Sequence, residues 1–263
     1  SQIAVYETDI EVRNPNQRVT NVFAQFMDAK GNWKQDYSPV GMRGTNNGYL
    51  EVSSIPPLDL GRRLKYLIRY PYGCVEQTTS SVFPQLHLAR LMKLDDKKKE
   101  EIDKNIRAGI QRLTRFQNSD GSLSYWPGSY YYNQWGTNYA GNFLLEAKQA
   151  GYTLPSGMIE DWIEFQKDMA KGWKGDSRWQ QMNQSYRLFL LAYAGKPELG
   201  AMNRMRKLSN LKEMSKWHLA GAYYLAGQRD VARKMVRSLP MNISDYSELG
   251  YSYGSATRDY GIM

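Results

Sequence analysis

The segment Gly73-Cys74-Val75-Glu76-Gln77 places the only cysteine of this 263-residue chain three positions before a glutamine. Residues three apart on a helical turn share one face, so the Cys74 sulfur can reach the side-chain carbonyl of Gln77. Joining them expels ammonia, and because a thiolate leaves more readily than ammonia, the carbonyl becomes an electrophile. Unpaired N–H groups at a helix start stabilise both a departing thiolate and a developing oxyanion. The spacing therefore indicates an internal thioester, whereas a lone cysteine without such neighbours is usually an inert buried thiol.

The residues around this segment match one protein family. The stretch from Leu67 to Ser80, LIRYPYGCVEQTTS, closely resembles the thioester motif of the alpha-2-macroglobulin family, particularly its bacterial members. A weaker likeness extends from Pro57 toward the end of the chain. Val75 departs from the vertebrate relatives, which have glycine there. The resemblance implies that most of this sequence is the helical thioester domain of such a protein.

Composition and charge argue against several other classes of protein. The net charge is +9, yet the charges are mixed along stretches such as 95–101, which is typical of a solvated helix face and does not favour nucleic-acid binding. A single cysteine excludes an intrachain disulfide framework and a cysteine-rich metal site. No stretch approaches a membrane span, and Ser1 opens no signal-peptide pattern. Because a capped helix has scarcely begun where the sequence stops at Met263, we expect an excised piece of a longer protein.

The sequence pattern of the first 55 residues is typical of a small antiparallel β module. Apolar and polar residues alternate in Ile3–Val12 and Val19–Met27, and a further short strand is predicted at Tyr49–Val52. Pro56-Pro57 ends this region, since successive prolines favour an extended linker. In the resembled family the thioester domain is inserted into a β-sandwich. We therefore predict a partial β-sandwich module over residues 1–55 and a thioester-bearing domain over residues 56–263.

The second region carries helical patterns in succession. One apolar stripe advances by three or four positions through Ile102, Ile106, Ile110, Leu113 and Phe116. Further helices are predicted at Leu58–Ile68, Glu76–Leu91 with a bend or break near Pro84, Asn138–Ala150, Gly157–Ala170, Arg178–Ala194, Glu198–Leu208, Glu213–Ala226 and Arg229–Arg237.

Three of these helices end in small residues followed by glycine, at Gly151, Gly195 and Gly227, as a left-handed C-cap requires. The segment Gln117–Trp126 resembles the turn that recurs in α/α toroids. The fold implied is mainly α: an α/α toroid of paired helices, incomplete at the C-terminus.

The aromatic side chains near the motif leave alternatives open. Tyr70 and Tyr72 are near enough in sequence to shield the thioester from water, as aromatic residues do in the resembled family. A dense cluster suggests a carbohydrate platform, a lid over a reactive bond, or plain packing at a long loop; its members are Tyr125, Trp126, Tyr130, Tyr131, Tyr132 and Trp135.

The remaining site residues follow from the motif. Gly73 and Glu76 complete it around Cys74 and Gln77. We interpret Glu76 as a first-turn carboxylate that stabilises the helix dipole, with a general-base role as the alternative. The two histidines, His87 and His218, are interpreted as packing or surface residues, because neither matches the family's acyl-accepting histidine. The resemblance then implies direct attack by an amine, such as a protease lysine, on the Gln77 carbonyl.

The function implied by the resemblance is that of a broad-range protease inhibitor that traps proteases covalently. Such a trap is a single-use reagent rather than an enzyme, and it needs no cofactor or metal. Its partners would be proteases and the remaining domains of the parent chain, in the periplasm or at the cell surface. Two alternatives stay open: a helical-repeat binding scaffold in which Cys74 is an ordinary thiol, and a toroidal enzyme acting on glycans or lipids. The enzyme would need paired acidic residues in the toroid mouth, and the spacing shows no convincing pair.

Overall fold

The chain divides into two units, residues 1–58 and residues 59–263. A computed structural model describes residues 8, 19–28, 30–50, 52, 64–175, 177–237, 239–248, 250 and 253–263.

The predicted β module is not shown by the described residues of the first unit. Residues 19–28 and 30–50 contain turns and bends but no strand, and Val22 and Phe26 are exposed. An alternating sequence becomes a strand only where a neighbour pairs with its backbone and covers its apolar face. Almost all of the predicted strand Ile3–Val12 lies outside the described residues, as does part of Tyr49–Val52, so the module stays a prediction.

Helices build the second unit, and those from Val75 onward lie close to their predicted positions. Most of the predicted helix Leu58–Ile68 lies outside the described residues. The predicted break near Pro84 is present, because this proline opens a short 3₁₀ turn, Pro84–His87, between the first two helices. No described helix is both long enough and apolar enough to cross a membrane. The helices are α1 (Val75–Val82), α2 (Leu88–Leu91), α3 (Asp96–Leu113), α4 (Gln134–Gln149), α5 (Met158–Gly172), α6 (Arg178–Tyr193), α7 (Leu199–Arg206), α8 (Glu213–Leu225), α9 (Arg229–Val236) and α10 (Ala256–Ile262).

The three predicted C-cap glycines adopt left-handed backbone conformations. Gly151, Gly195 and Gly227 have φ values of 92°, 71° and 79°. After Gly151 the N–H of Tyr152 donates to the carbonyl of Ala147 at 3.0 Å, which is the long hydrogen bond of a Schellman motif. Equivalent bonds follow Gly195 and Gly227, so the same chemistry ends α4, α6 and α8.

Neighbouring helices pack on one another in an order that confirms the predicted α/α toroid of paired helices. Helix α1 packs against α3 and α4, α4 against α6, α6 against α8, and α8 against α9. The apolar stripe of α3, from Ile102 to Leu113, lies in one buried cluster with Val75, Phe143 and Trp162. A second buried cluster is formed by residues of α5 to α9. The described part of the second unit is therefore mainly α, and α1 contributes Val75 and Val82 to the first buried cluster.

Gly141 offers a test of how closely this core is packed. A Cβ atom added there would lie 2.2 Å from the ring of the fully buried Trp162, whose Nε1 donates to the carbonyl of Thr137 at 2.8 Å. We expect Gly141→Ala to lower the free energy of unfolding by about 1–3 kcal/mol, because the indole must leave this hydrogen bond. Urea unfolding followed by circular dichroism measures the change.

Gly172→Ala provides the matched control, because an added Cβ at that helix end meets nothing within 4 Å. We expect this change to be neutral or to stabilise the fold by up to about 1 kcal/mol, since alanine restricts the unfolded chain. Equal unfolding midpoints for the two variants would contradict the close approach of α4 and α5.

Candidate functional site

The predicted thioester residues share the first turn of α1. Cys74 is the N-cap in an extended conformation, and its backbone N–H donates to Oε1 of Gln77 at 3.2 Å. The Cys74 side chain in turn faces the backbone N–H of Gln77, which completes a reciprocal capping box. The carbonyl of Gln77 is thus folded back over the residue that carries the thiol.

The same arrangement caps another helix of this chain, with a serine in place of the cysteine. At the start of α6, the N–H of Ser177 donates to Oε1 of Gln180 at 3.2 Å, and the N–H of Gln180 donates to the Ser177 hydroxyl at 3.2 Å. The segment from Gly73 to Gln77 is therefore a capping box in which sulfur takes the place of the hydroxyl oxygen. What distinguishes α1 is the thiol and its burial, since only 1% of Cys74 is exposed.

Gly73 is required by two features of the turn. Its φ is 87°, a left-handed conformation that residues with a Cβ seldom adopt. An added Cβ would also lie 2.0 Å from Oε1 of Gln77. The glycine therefore makes room for the side chain that closes onto Cys74.

Arg112 of α3 stabilises this turn by two hydrogen bonds, a contact that the sequence did not predict. Its Nη2 donates to the carbonyl of Gly73 at 2.8 Å, and its Nε donates to the Thr78 hydroxyl at 3.1 Å. The guanidinium carbon lies 5.7 Å from the centre of the Phe116 ring. One side chain thus fixes the residues on both sides of Cys74 and Gln77.

Val75, the departure from the vertebrate motif, is accommodated by a glycine on the facing helix. Its side chain is fully buried, and a Cβ added to Gly136 of α4 would lie 2.6 Å from its Cγ1. The bulk gained at position 75 is matched by the absence of a side chain at position 136. The valine therefore packs without displacing Cys74 or Gln77.

Tyr125 lies beside the residue pair Cys74-Val75 at the start of α1. The N–H of Val75 donates to the carbonyl of Tyr125 at 3.1 Å, which anchors the loop after α3 to the start of α1. The Tyr125 hydroxyl is within hydrogen-bonding reach of Cys74 and lies 3.1 Å from the hydroxyl of Tyr253. These two hydrogen bonds, the one to Cys74 foremost, and partial burial raise the pKa of Tyr125 well above its usual value.

The predicted shielding residues and the aromatic cluster are placed differently. The rings of Tyr70 and Tyr72 lie 4.7 Å apart, and 45% and 68% of these residues is exposed. The cluster does not form one platform, because Tyr130 and Tyr131 face solvent while Trp135 is buried against Tyr139. A shielding role for Tyr70 and Tyr72 stays a prediction, whereas Tyr125 is the cluster member that reaches Cys74.

Both histidines occupy packing or surface positions, as interpreted from the sequence. His218 is buried and stacks on Tyr186 with ring centres 5.2 Å apart. Burial, helped by nearby Arg258 and opposed by Asp259, lowers its pKa to about 4. His87 is partly exposed, with its Nε2 3.8 Å from the carboxylate of Glu146.

Comparison with known proteins assigns this chain to a family. Residues 51–184 match the family model described as the A-macroglobulin TED domain. The chain belongs to this family. Alpha-2-macroglobulin of Escherichia coli (strain K12) is 30% identical to it over 250 residues, which are 87% of this chain and 15% of that protein. The chain thus spans about a seventh of the length of that relative.

Solved structures of bacterial alpha-2-macroglobulins share the fold of this TED domain. Salmonella alpha-2-macroglobulin reacted with methylamine is 26% identical, with a TM-score of 0.62 over 78% of this chain and 14% of that one. Trypsin activated alpha-2-macroglobulin from Escherichia coli is 25% identical, with a TM-score of 0.59 over 72% of this chain and 14% of that one.

Proposed function

We propose that this TED domain forms a thioester between Cys74 Sγ and Gln77 Cδ, and that its parent protein uses the bond to capture proteases covalently. The observation that carries the proposal is the closed first turn of α1, in which the Gln77 carbonyl is held over the residue that bears the buried thiol. The methylamine-reacted Salmonella relative and the trypsin-activated Escherichia coli relative support it, because an amine and a protease are the reagents a trap of this kind would meet.

Bond formation can be written for the residues present. The Cys74 thiolate attacks Cδ of Gln77, the C–N bond breaks, and the nitrogen leaves as ammonia with the proton of the thiol. Charge develops on Oε1 during this step, and the N–H of Cys74 already donates to that atom at 3.2 Å. A donor fixed beforehand stabilises the oxyanion without reorganisation.

Capture reverses the roles of nitrogen and sulfur. An amine nitrogen attacks Cδ, the Cδ–Sγ bond breaks with its electron pair on sulfur, and a proton of the amine ends on the sulfur. The Tyr125 hydroxyl donates a hydrogen bond to the departing thiolate. Because Gln77 is exposed, an amine can reach its carbonyl from solvent. Gln77 ends as an amide of the attacker and is not regenerated, so the protein acts as a single-use inhibitor and not as an enzyme.

The wider function belongs to the parent protein. In our proposal a protease cuts a bait segment elsewhere in the parent, and the domains that cover Gln77 then move away. The location would be periplasmic or at the cell surface, in a host-defence role. The scaffold alternative gains nothing from the described residues, and the dispersed aromatic cluster removes the observation that favoured a glycan enzyme.

Intact mass spectrometry with and without methylamine tests the proposal. The freshly folded protein should be lighter than its sequence mass by one ammonia, because thioester closure expels that molecule. Methylamine should add across the bond, leaving one methylamide at Gln77 and one titratable thiol at Cys74. An unmodified mass with a free Cys74 thiol, in this chain and in its full-length parent, would contradict the proposal.

A further inference from the structure

A cavity of about 270 Å³ opens beside α1, next to the thioester segment. It is smaller than the pockets of roughly 300–1,000 Å³ that hold drug-sized ligands, and it suits one long side chain. Its lining combines one carboxylate, one guanidinium, one aliphatic hydroxyl and three aromatic rings. These residues are Glu76, Ser80, Trp135, Tyr139, Tyr253 and Arg258.

The charges around this cavity favour a cationic guest. Arg258 is paired with Asp259, whose Oδ1 accepts from its Nη2 at 2.7 Å and from its Nε at 3.0 Å. Asp259 is 1% exposed, so this pair contributes little net charge to the cavity. Glu76 is left as the uncompensated charge among the lining residues. Its Oε1 accepts from the Ser80 hydroxyl at 2.7 Å, and a carboxylate has lone pairs for a second donor.

The walls suit a cation as well. Trp135 and Tyr139 stack with ring centres 6.0 Å apart, and the Arg258 guanidinium already lies 5.6 Å from the Trp135 ring centre. Aromatic faces attract ammonium groups, and most strongly where water is partly excluded. An alkyl chain that ends in an ammonium would therefore find apolar walls and one carboxylate in the same space.

The cavity also adjoins the reactive bond. Glu76 directly precedes Gln77 on α1. Tyr253 lines the cavity, and its hydroxyl lies 3.1 Å from that of Tyr125, which reaches Cys74. The cavity is therefore linked to the thioester site through Glu76 and through this tyrosine pair.

We propose that this cavity receives the ammonium-bearing side chain of the attacking lysine, with Glu76 as its counter-ion and proton acceptor. The inference rests on the proposed thioester and names its nucleophile site. The ammonium gives one proton to Glu76, and the free amine attacks Cδ of Gln77. The Cδ–Sγ bond breaks with its electrons on sulfur, and a second nitrogen proton passes to the sulfur. The products are an amide, a thiol and a protonated Glu76, which returns its proton to water.

Glu76→Gln separates this role from a general effect on the bond. Gln keeps an acceptor for Ser80 but removes the charge, so the rate of adduct formation with Nα-acetyl-lysinamide should fall about tenfold or more, as expected on losing a hydrogen bond to a charged group. The rate with hydroxylamine, which is uncharged at neutral pH, should stay within about twofold of wild type, because that nucleophile needs no counter-ion. Both rates are followed by intact mass, per thioester present at the start.

Glu213→Gln is the matched control, because it removes an exposed first-turn carboxylate from α8 and leaves the cavity untouched. It should leave both rates at the wild-type value. Equal loss of both rates in Glu76→Gln, or loss of neither, would overturn the proposal.

A competition on the wild-type protein tests the cavity without any substitution. Nα-acetyl-Nε-trimethyl-lysinamide carries a cation that aromatic walls bind but has no proton to lose and cannot be acylated. It should slow the lysinamide reaction in a saturable manner and leave the hydroxylamine reaction unchanged. Absence of any competition would overturn the cavity role while the thioester stands. Absence of any adduct with either nucleophile in the wild type would instead overturn the proposed thioester itself.

Discussion

Cys74→Ala is expected to abolish covalent amine incorporation completely. The substitution removes the only sulfur that can hold the Gln77 acyl group, and an ordinary glutamine amide does not react with amines. The variant should have the mass calculated from its sequence, with no ammonia lost and no adduct after incubation with a fluorescent primary amine. Gln77→Ala should give the same result, because it removes the acyl carbon. Incorporation undiminished in either variant would refute the thioester.

Ser177→Ala is the control for any loss of amine incorporation that a lost helix cap alone would cause. Cys74 and Ser177 occupy equivalent N-cap positions, each three residues before a glutamine whose Oε1 accepts from the N-cap N–H at 3.2 Å. Loss of the Ser177 hydroxyl should cost about 1 kcal/mol of stability through the lost cap. Amine incorporation should stay at the wild-type level. Comparison of Cys74→Ala with Ser177→Ala therefore distinguishes the loss of a helix cap from the loss of the reacting thiol.

The capping geometry explains why the motif could be recognised in the sequence. A residue at the N-cap and a glutamine three positions later meet through contacts within one turn, so local spacing is sufficient to predict their approach. The C-cap glycines could be predicted for the same reason. The backbone at Gly151, Gly195 and Gly227 is left-handed, a conformation that glycine adopts most easily and that depends only on the local helix end. The helical part of the fold follows from such signals together with the apolar stripe of α3.

The residues that support the motif could not be predicted in this way. Arg112 donates to the carbonyl of Gly73 across 39 positions, and Tyr253 reaches Tyr125 across 128 positions. No spacing rule links such residues, because their approach depends on how whole helices pack. The predicted strand Val19–Met27 is absent from the described residues for a similar reason. A strand depends on a neighbouring strand, and its own alternating pattern does not specify that partner.

Gly73→Ala is expected to have the second-largest effect on thioester chemistry. Alanine at a φ of 87° costs about 1–2 kcal/mol from its own backbone conformation. Its Cβ would also stand 2.0 Å from Oε1 of Gln77, so the glutamine side chain must leave the position over Cys74. A displacement of about 1 Å at a reacting centre can cost about a hundredfold in rate, and we expect a fall of at least that order in thioester closure. Adduct yield with methylamine, measured by intact mass, reports it.

Gly151→Ala isolates the backbone part of that effect, because Gly151 has a φ of 92° and an added Cβ there meets nothing within 4 Å. Both variants should lose a similar 1–2 kcal/mol or so of stability from the left-handed conformation, as urea unfolding would show. Only Gly73→Ala should lose the adduct, since only its Cβ displaces Gln77. If both variants keep the full adduct yield, the close approach of Gly73 and Gln77 does not limit the chemistry. If both lose it equally, general stability rather than the shape of this turn governs whether the bond can close.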